Sequence, residues 1–182
     1  MSAPYGNIRS KLSRALAAYL ATFNSPPVGN GPYTNVFSQF SEAQKTYPNT
    51  VCRVVQGQSE PPLSGDYICK VQIHIRGSAA NVTAAADLDS IRAAFDSRCA
   101  ATHDAFMVTD STGQDLTATA LAITAAARAL AASSPANNAD LADFTLIMWN
   151  DNGFGEGNAD AAGCSWEEVF VFEALCCAKN VS

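Results

Sequence analysis

The stretch GDYICKVQIHIRGSAANVTAAADLDSIRAAFDSRC, Gly65 to Cys99, decides the fold. In its first part Tyr67, Cys69, Val71, Ile73 and Ile75 alternate with Ile68, Lys70, Gln72, His74 and Arg76. A two-residue repeat therefore puts apolar groups on one face of a strand and nearly all the polar ones on the other. Such a strand belongs to a sheet with one wet side. Gly77 and Ser78 end it, Thr83 is placed to cap a helix, and Leu88, Ile91, Phe95 and Cys99 then recur at helical spacing. That helix, over 83–101, is expected to lie on the dry face of the sheet.

Upstream, residues 7–23 read as a first helix, with Ile8, Leu12, Leu16, Tyr19, Leu20 and Phe23 on one face. Arg9, Lys11 and Arg14 crowd its first half, the end where the helix dipole disfavours cations. Two readings are open for them: contacts to an acidic neighbour or to DNA in a channel, or a solvated face. Residues 24–50 form a Pro-rich loop anchored by Val36, Phe37 and Phe40, and a loop of that length in a compact domain is usually functional or docked on a partner. VCRVVQ, 51–56, is a short strand, and with the central strand it makes an antiparallel pair across 51–77.

Downstream, Ala105 to Thr109 reads as a short strand and DSTGQD as a turn. A helix over 116–132 follows, with an outer face of alanine and threonine that permits close approach of another helix. DFTLIMW, 143–149, and WEEVFVFEALCC, 166–177, are rich in β-branched and aromatic residues. They are expected to form a C-terminal hairpin around an acidic, glycine-rich, mobile tip. The sum is a single α+β domain over 1–182: a mixed, mainly antiparallel sheet of four to five strands, with about three helices packed on one face.

Charged residues make up 15% of the chain, against roughly 25% in an ordinary soluble domain, so part of the surface is expected to be covered by other copies. Homo-oligomerisation follows. Eleven Lys and Arg against 17 Asp and Glu give a net charge of −6, which argues against a protein that grips nucleic acid by neutralising phosphates. The start lacks a basic-capped apolar segment and nowhere do 18 apolar residues run unbroken, so the chain is expected to be soluble, made in the cytoplasm and independent of membranes.

No catalytic, metal or cofactor site emerges from spacing. The six cysteines, at 52, 69, 99, 164, 176 and 177, lack a CxxC pair, and most lie in apolar runs where a thiol acts as a small hydrophobe. Cys99 and His103 have the spacing of a dyad, but Cys99 belongs to the helix's buried stripe and nothing nearby orients the imidazole. The acids of 150–160 are hard oxygen ligands, yet aligning Gly153 with the invariant glycine of a calcium loop puts Met148 where the first Asp belongs. Lys70, Arg76 and Arg53 gather on the wet face without interleaved aromatics, as a solvated or intersubunit surface does. The protein is not expected to be an enzyme.

The order of elements, a leading amphipathic helix, a Pro-rich passage ending in YPNTVCRVV, a polar loop, then GDYICKVQIHIRGSAANVTAAADLDSIRAAF, resembles the neck proteins of tailed bacteriophages. It is most similar to tail terminator and tail-completion proteins of long-tailed phages, over Asn7 to Ala101. The resemblance implies a virion protein, a homo-oligomeric ring, typically a hexamer, that caps the tail tube and docks to the head connector or stopper, with DNA passing through the middle. A head-side adaptor or stopper of the same neck, or a non-viral α+β assembly module, are the alternatives. After Asp104 the chain departs from the pattern, being larger than typical members. The resemblance carries over no residue one by one. By position alone the loops 24–35, 57–65 and 150–163, with Val28, Tyr33, Glu60, Leu63, Asp151, Phe154 and Glu156, are the expected oligomer or neck-partner contacts.

Overall fold

The computed structural model describes residues 4–23, 36–38, 48–59, 66–79, 83–109, 111–113, 115–157 and 165–177. Within them run helix α1 (Pro4–Ala21), strands β1 (Val36–Phe37), β2 (Asn49–Ser59) and β3 (Asp66–Ser78), and helices α2 (Ala85–Phe106), α3 (Thr117–Ser133) and α4 (Pro135–Asn138). A 3-10 turn (Ala139–Leu141) then leads to strands β4 (Thr145–Glu156) and β5 (Ser165–Cys177). The sheet order is β1-β2-β3-β5-β4, with β1 parallel to β2 and every other pair antiparallel. The chain is an α+β protein. Its last strand slots between β3 and β4, and β3, at the centre of the sheet, carries the two longest ladders, to β2 and to β5.

The alternation around Ile73 appears directly in burial: Cys69, Val71, Ile73 and Ile75 are fully buried, and β5 matches them with Phe170, Phe172, Ala174 and Cys176. From the helices, Ile8, Leu12, Leu16 and Leu20 of α1, Phe95 and Phe106 of α2, and Ile123 and Ala127 of α3 join the same cluster. Each large side chain so buried contributes about 1.5–3 kcal/mol. At its centre Trp149 stacks on Phe172 with ring centroids 4.6 Å apart, and on Phe106 at 5.3 Å.

The end of α2 is where three elements lock. The last carbonyls of a helix have no partner within it. Here the Tyr19 hydroxyl donates to the Ala105 carbonyl, the Trp149 indole N–H donates to the Phe106 carbonyl at 3.2 Å, and the Thr119 hydroxyl donates to the Val108 carbonyl at 2.9 Å. These contacts carry the helix to Phe106, past the expected end at residue 101, and take up the segment read from sequence as a strand at Ala105 to Thr109.

Two further boundaries differ. β4 does not stop at Trp149 but continues to Glu156, so half of the expected mobile tip is extended backbone paired to β5. It does so through an irregularity between Asp151 and Phe154, where Gly153 takes φ +95°, a conformation open to glycine. The first half of α2 also departs from expectation: Leu88 is 40% exposed and Ile91 half-buried, because the helix overhangs the end of the sheet rather than lying on it.

Candidate functional site

The helices occupy one face of the sheet, and the other holds the polar cluster expected on the wet side. Register sets it out: Lys70 faces Glu173, Arg76 faces Glu167, and Arg53 faces Gln72. His74 sits between two oxygens, its Nδ1 3.0 Å from Glu167 Oε1 and its Nε2 3.2 Å from Gln72 Oε1. Only a protonated ring donates to both; the neutral ring donates to Glu167 and requires the Gln72 amide to turn its nitrogen inward. Burial dominates and pulls the His74 pKa below its ordinary value, with Arg53 and Arg76 pushing the same way against the bond and charge of Glu167. The face is not simply wet. Val51, His74 and Val169 are buried, while Ile68, Met148, Val171 and Leu175 are half-exposed.

The hairpin end presents a second surface. Phe154 is 74% exposed, with its ring 6.4 Å from that of Phe170, against which His103 also packs at 5.4 Å. Asp151 is exposed, but its Oδ1 accepts the Gly153 N–H at 2.9 Å, so it shapes the bend. Glu156 closes the strand opposite Glu168. Ile147, 49% exposed, lies at another irregularity of the same strand. Two such breaks in an edge strand disfavour strand-to-strand addition there. Val28, Tyr33, Glu60 and Leu63 lie outside the described residues.

The three cations of α1 are not one outward-facing set: Arg9 is exposed, Arg14 half-buried and Lys11 buried. Arg9 donates from Nε to the Val54 carbonyl at 2.8 Å, where β2 is irregular between Val54 and Gln56. Arg14 clasps Asp140 at 2.6 Å and also donates to the Asn138 side chain at 3.0 Å, tying α1 to the turn after α4. The Arg14 bond holds the Asp140 carboxyl below the usual carboxylate range. Lys11 is 1% exposed. The physical reason is the shape of the fold: α1 lies between β2 and α3, which buries Lys11, Leu12 and Ser13 while Arg9 and Ser10 stay exposed.

Burial holds two of the thiols protonated. Burial pushes the Cys99 thiol up to about 12, with Glu168 and Asp96 adding to the shift, so it holds its proton at neutral pH and is no nucleophile for His103. Cys52 is likewise pushed up by burial. Cys69 and Cys176 face each other with sulfurs 3.8 Å apart; their mutual bond lowers the first thiol's pKa and, with burial, raises the second's. Cys164 lies outside the described residues. Among those residues no three His, Cys, Asp or Glu side chains gather to hold a metal, and no helix is long and apolar enough to cross a membrane.

Sequence reasoning missed Leu88, Ile147 and Arg128 as surface features. Leu88 carried the apolar signal of a buried position, Ile147 is turned out by a bulge that periodicity does not report, and Arg128 interrupts an alanine run without indicating its surroundings. Set against family models and against curated proteins, the chain matches none.

Proposed function

We propose that the protein is a structural subunit of a tailed-phage neck: one member of a homo-oligomeric ring, six subunits favoured, that terminates the tail tube and joins it to the head connector or stopper while DNA passes through. It is then a virion protein made in the host cytoplasm, with the tail tube protein as its other partner, and has no catalytic role. The observation that carries this reading is the one-sided layering of the sheet. Helices cover a single face, and the opposite face mixes half-exposed Ile68, Met148, Val171 and Leu175 with opposed charges. A surface part apolar and part charge-paired is what association between subunits uses, and the low charge content agrees with it. The Cys99–His103 pair does not compete as an explanation, since burial holds the Cys99 thiol protonated.

The test is complementation. Purified protein added to a lysate lacking its own terminator should restore tails of uniform length, and electron microscopy should show rings at the tube end. Tubes that stay overlong, with no ring on them, would overturn the terminator role, and rings found on the capsid side would favour the adaptor instead.

A further inference from the structure

The overhang of α2 leaves a piece of the fold unfinished. Leu88 and Ile91 continue the stripe that Phe95, Cys99, Thr102 and Phe106 bury, but they extend it beyond the end of the sheet where the last residues of β3 pair with the first of β5. Phe95 sits over Gly77, with Trp166 alongside, so the sheet stops beneath this point of the helix. Every residue from Ala84 to Ser90 is exposed, and Asp87 and Asp89 carry negative charge on these open turns. Short helical turns without packing are marginal in water, so this end of α2 gains most from a surface to rest on.

At the other end of the sheet lies a surface of matching character. Arg128 donates to the Phe144 carbonyl at 3.3 Å and to the Thr145 hydroxyl at 3.0 Å, and Thr145 pairs with Cys177, the last residue of β5. Beside it a shallow groove of about 310 Å³ is lined by Arg128, Ala131, Ala132, Pro135, Ala139 and Ala142. Alanine and proline walls leave room for a leucine and let a helix approach closely. Arg128 sets a positive charge at the rim, while nearby Asp140 is already neutralised by Arg14.

We infer that the first turns of α2 from one copy, Ala85 to Ile91, dock in the groove between α3 and α4 of a second copy, Leu88 filling the alanine-lined floor and Asp87 and Asp89 facing Arg128. Knob and groove stand at opposite ends of a 13-residue strand, about 40 Å apart. The contact is therefore head-to-tail. Different patches meet, a joined pair keeps one knob and one groove free, and repetition gives a closed ring or an open filament. This deepens the neck-ring reading and rests on it for closure only.

The experiment uses the full chain and light scattering over a concentration series. Leu88→Glu and Ala132→Trp change exposed positions, and each should weaken self-association by roughly tenfold or more with an unchanged circular dichroism spectrum. Mixing the two is the decisive arm. The first keeps an intact groove and the second an intact helix, so together they should form one contact and stop at a 1:1 complex of twice 19.1 kDa. Asp87→Lys with Asp89→Lys, which disturbs no packing, should weaken association in the same direction. A wild type that stays monomeric, an assembly whose size none of the variants changes, or a mixture that regrows to full size would overturn the inference. A closed ring indifferent to the variants would remove this contact and leave the neck-ring reading standing; association lost in the variants, but open filaments in the wild type, would do the reverse.

Discussion

Gly77 is the point where α2 is seated on the sheet, and replacing it with alanine measures how tightly. A Cβ there would lie 2.8 Å from Phe95 Cδ2 and 3.1 Å from Trp166 Cε3, inside the distance real Cβ contacts tolerate. The ring of Phe95 is 2% exposed and has nowhere to retreat without lifting the helix. Overpacking of this kind costs about 1–3 kcal/mol. Against it, alanine narrows the unfolded ensemble and returns about 0.4–1 kcal/mol. Gly77 does not adopt a left-handed backbone, so no φ penalty enters. The net expectation is a loss of about 1–2 kcal/mol, which in a chain of 182 residues lowers Tm by roughly 2–8 °C. Urea unfolding followed by the fluorescence of buried Trp149 should show a lower midpoint with an unchanged slope. Because the cost is steric, Phe95→Leu should absorb part of it, and the double variant should be more stable than the sum of the two changes predicts by about 1 kcal/mol. A Gly77→Ala protein as stable as the parent, or strict additivity with Phe95→Leu, would refute the close approach as the element that fixes α2.

His74 loses proton affinity on folding, so the folded chain binds fewer protons than the unfolded one, and stability should be fully present above pH 6.5 and fall as pH drops through and below that value; His74→Gln should flatten the dependence in that window, read from urea midpoints between pH 5 and pH 7.5. Arg98 is 4% exposed and donates from Nε to Thr50 Oγ1 at 2.7 Å, so Thr50→Val, nearly equal in volume, should cost about 1.5–3 kcal/mol by removing an acceptor from a buried cation. Thiol labelling of the native protein near pH 7.5, mapped by mass spectrometry, should find Cys177 modified well before Cys52, Cys69, Cys99 and Cys176, and prompt labelling of Cys99 would contradict its burial. Asp140→Asn should lower stability above about pH 4, and the difference should shrink as pH falls below the ordinary carboxylate value, vanishing only once the carboxylate that Arg14 holds below that value takes up its proton.

What the sequence alone settled is everything carried by periodicity. The alternation from Tyr67 to Ile75, the helical spacing of Ile8 to Leu20 and of Ile123 to Ala131, and the aromatic run of β5 each report which side of an element faces apolar surroundings, and that is enough for an α+β class with helices on one face. Local repeats encode local burial. Long-range contacts have no such imprint: nothing near Arg14 announces Asp140, nothing near Phe106 announces Tyr19 and Trp149, and Lys11 looks like any surface lysine until α1 is enclosed between β2 and α3. Leu88 makes the same point from the other side, since it carries the spacing of a buried stripe yet is 40% exposed. Only the tertiary structure, by ending the sheet under Gly77 while the helix reaches past it, decided that the first turns of α2 stay exposed.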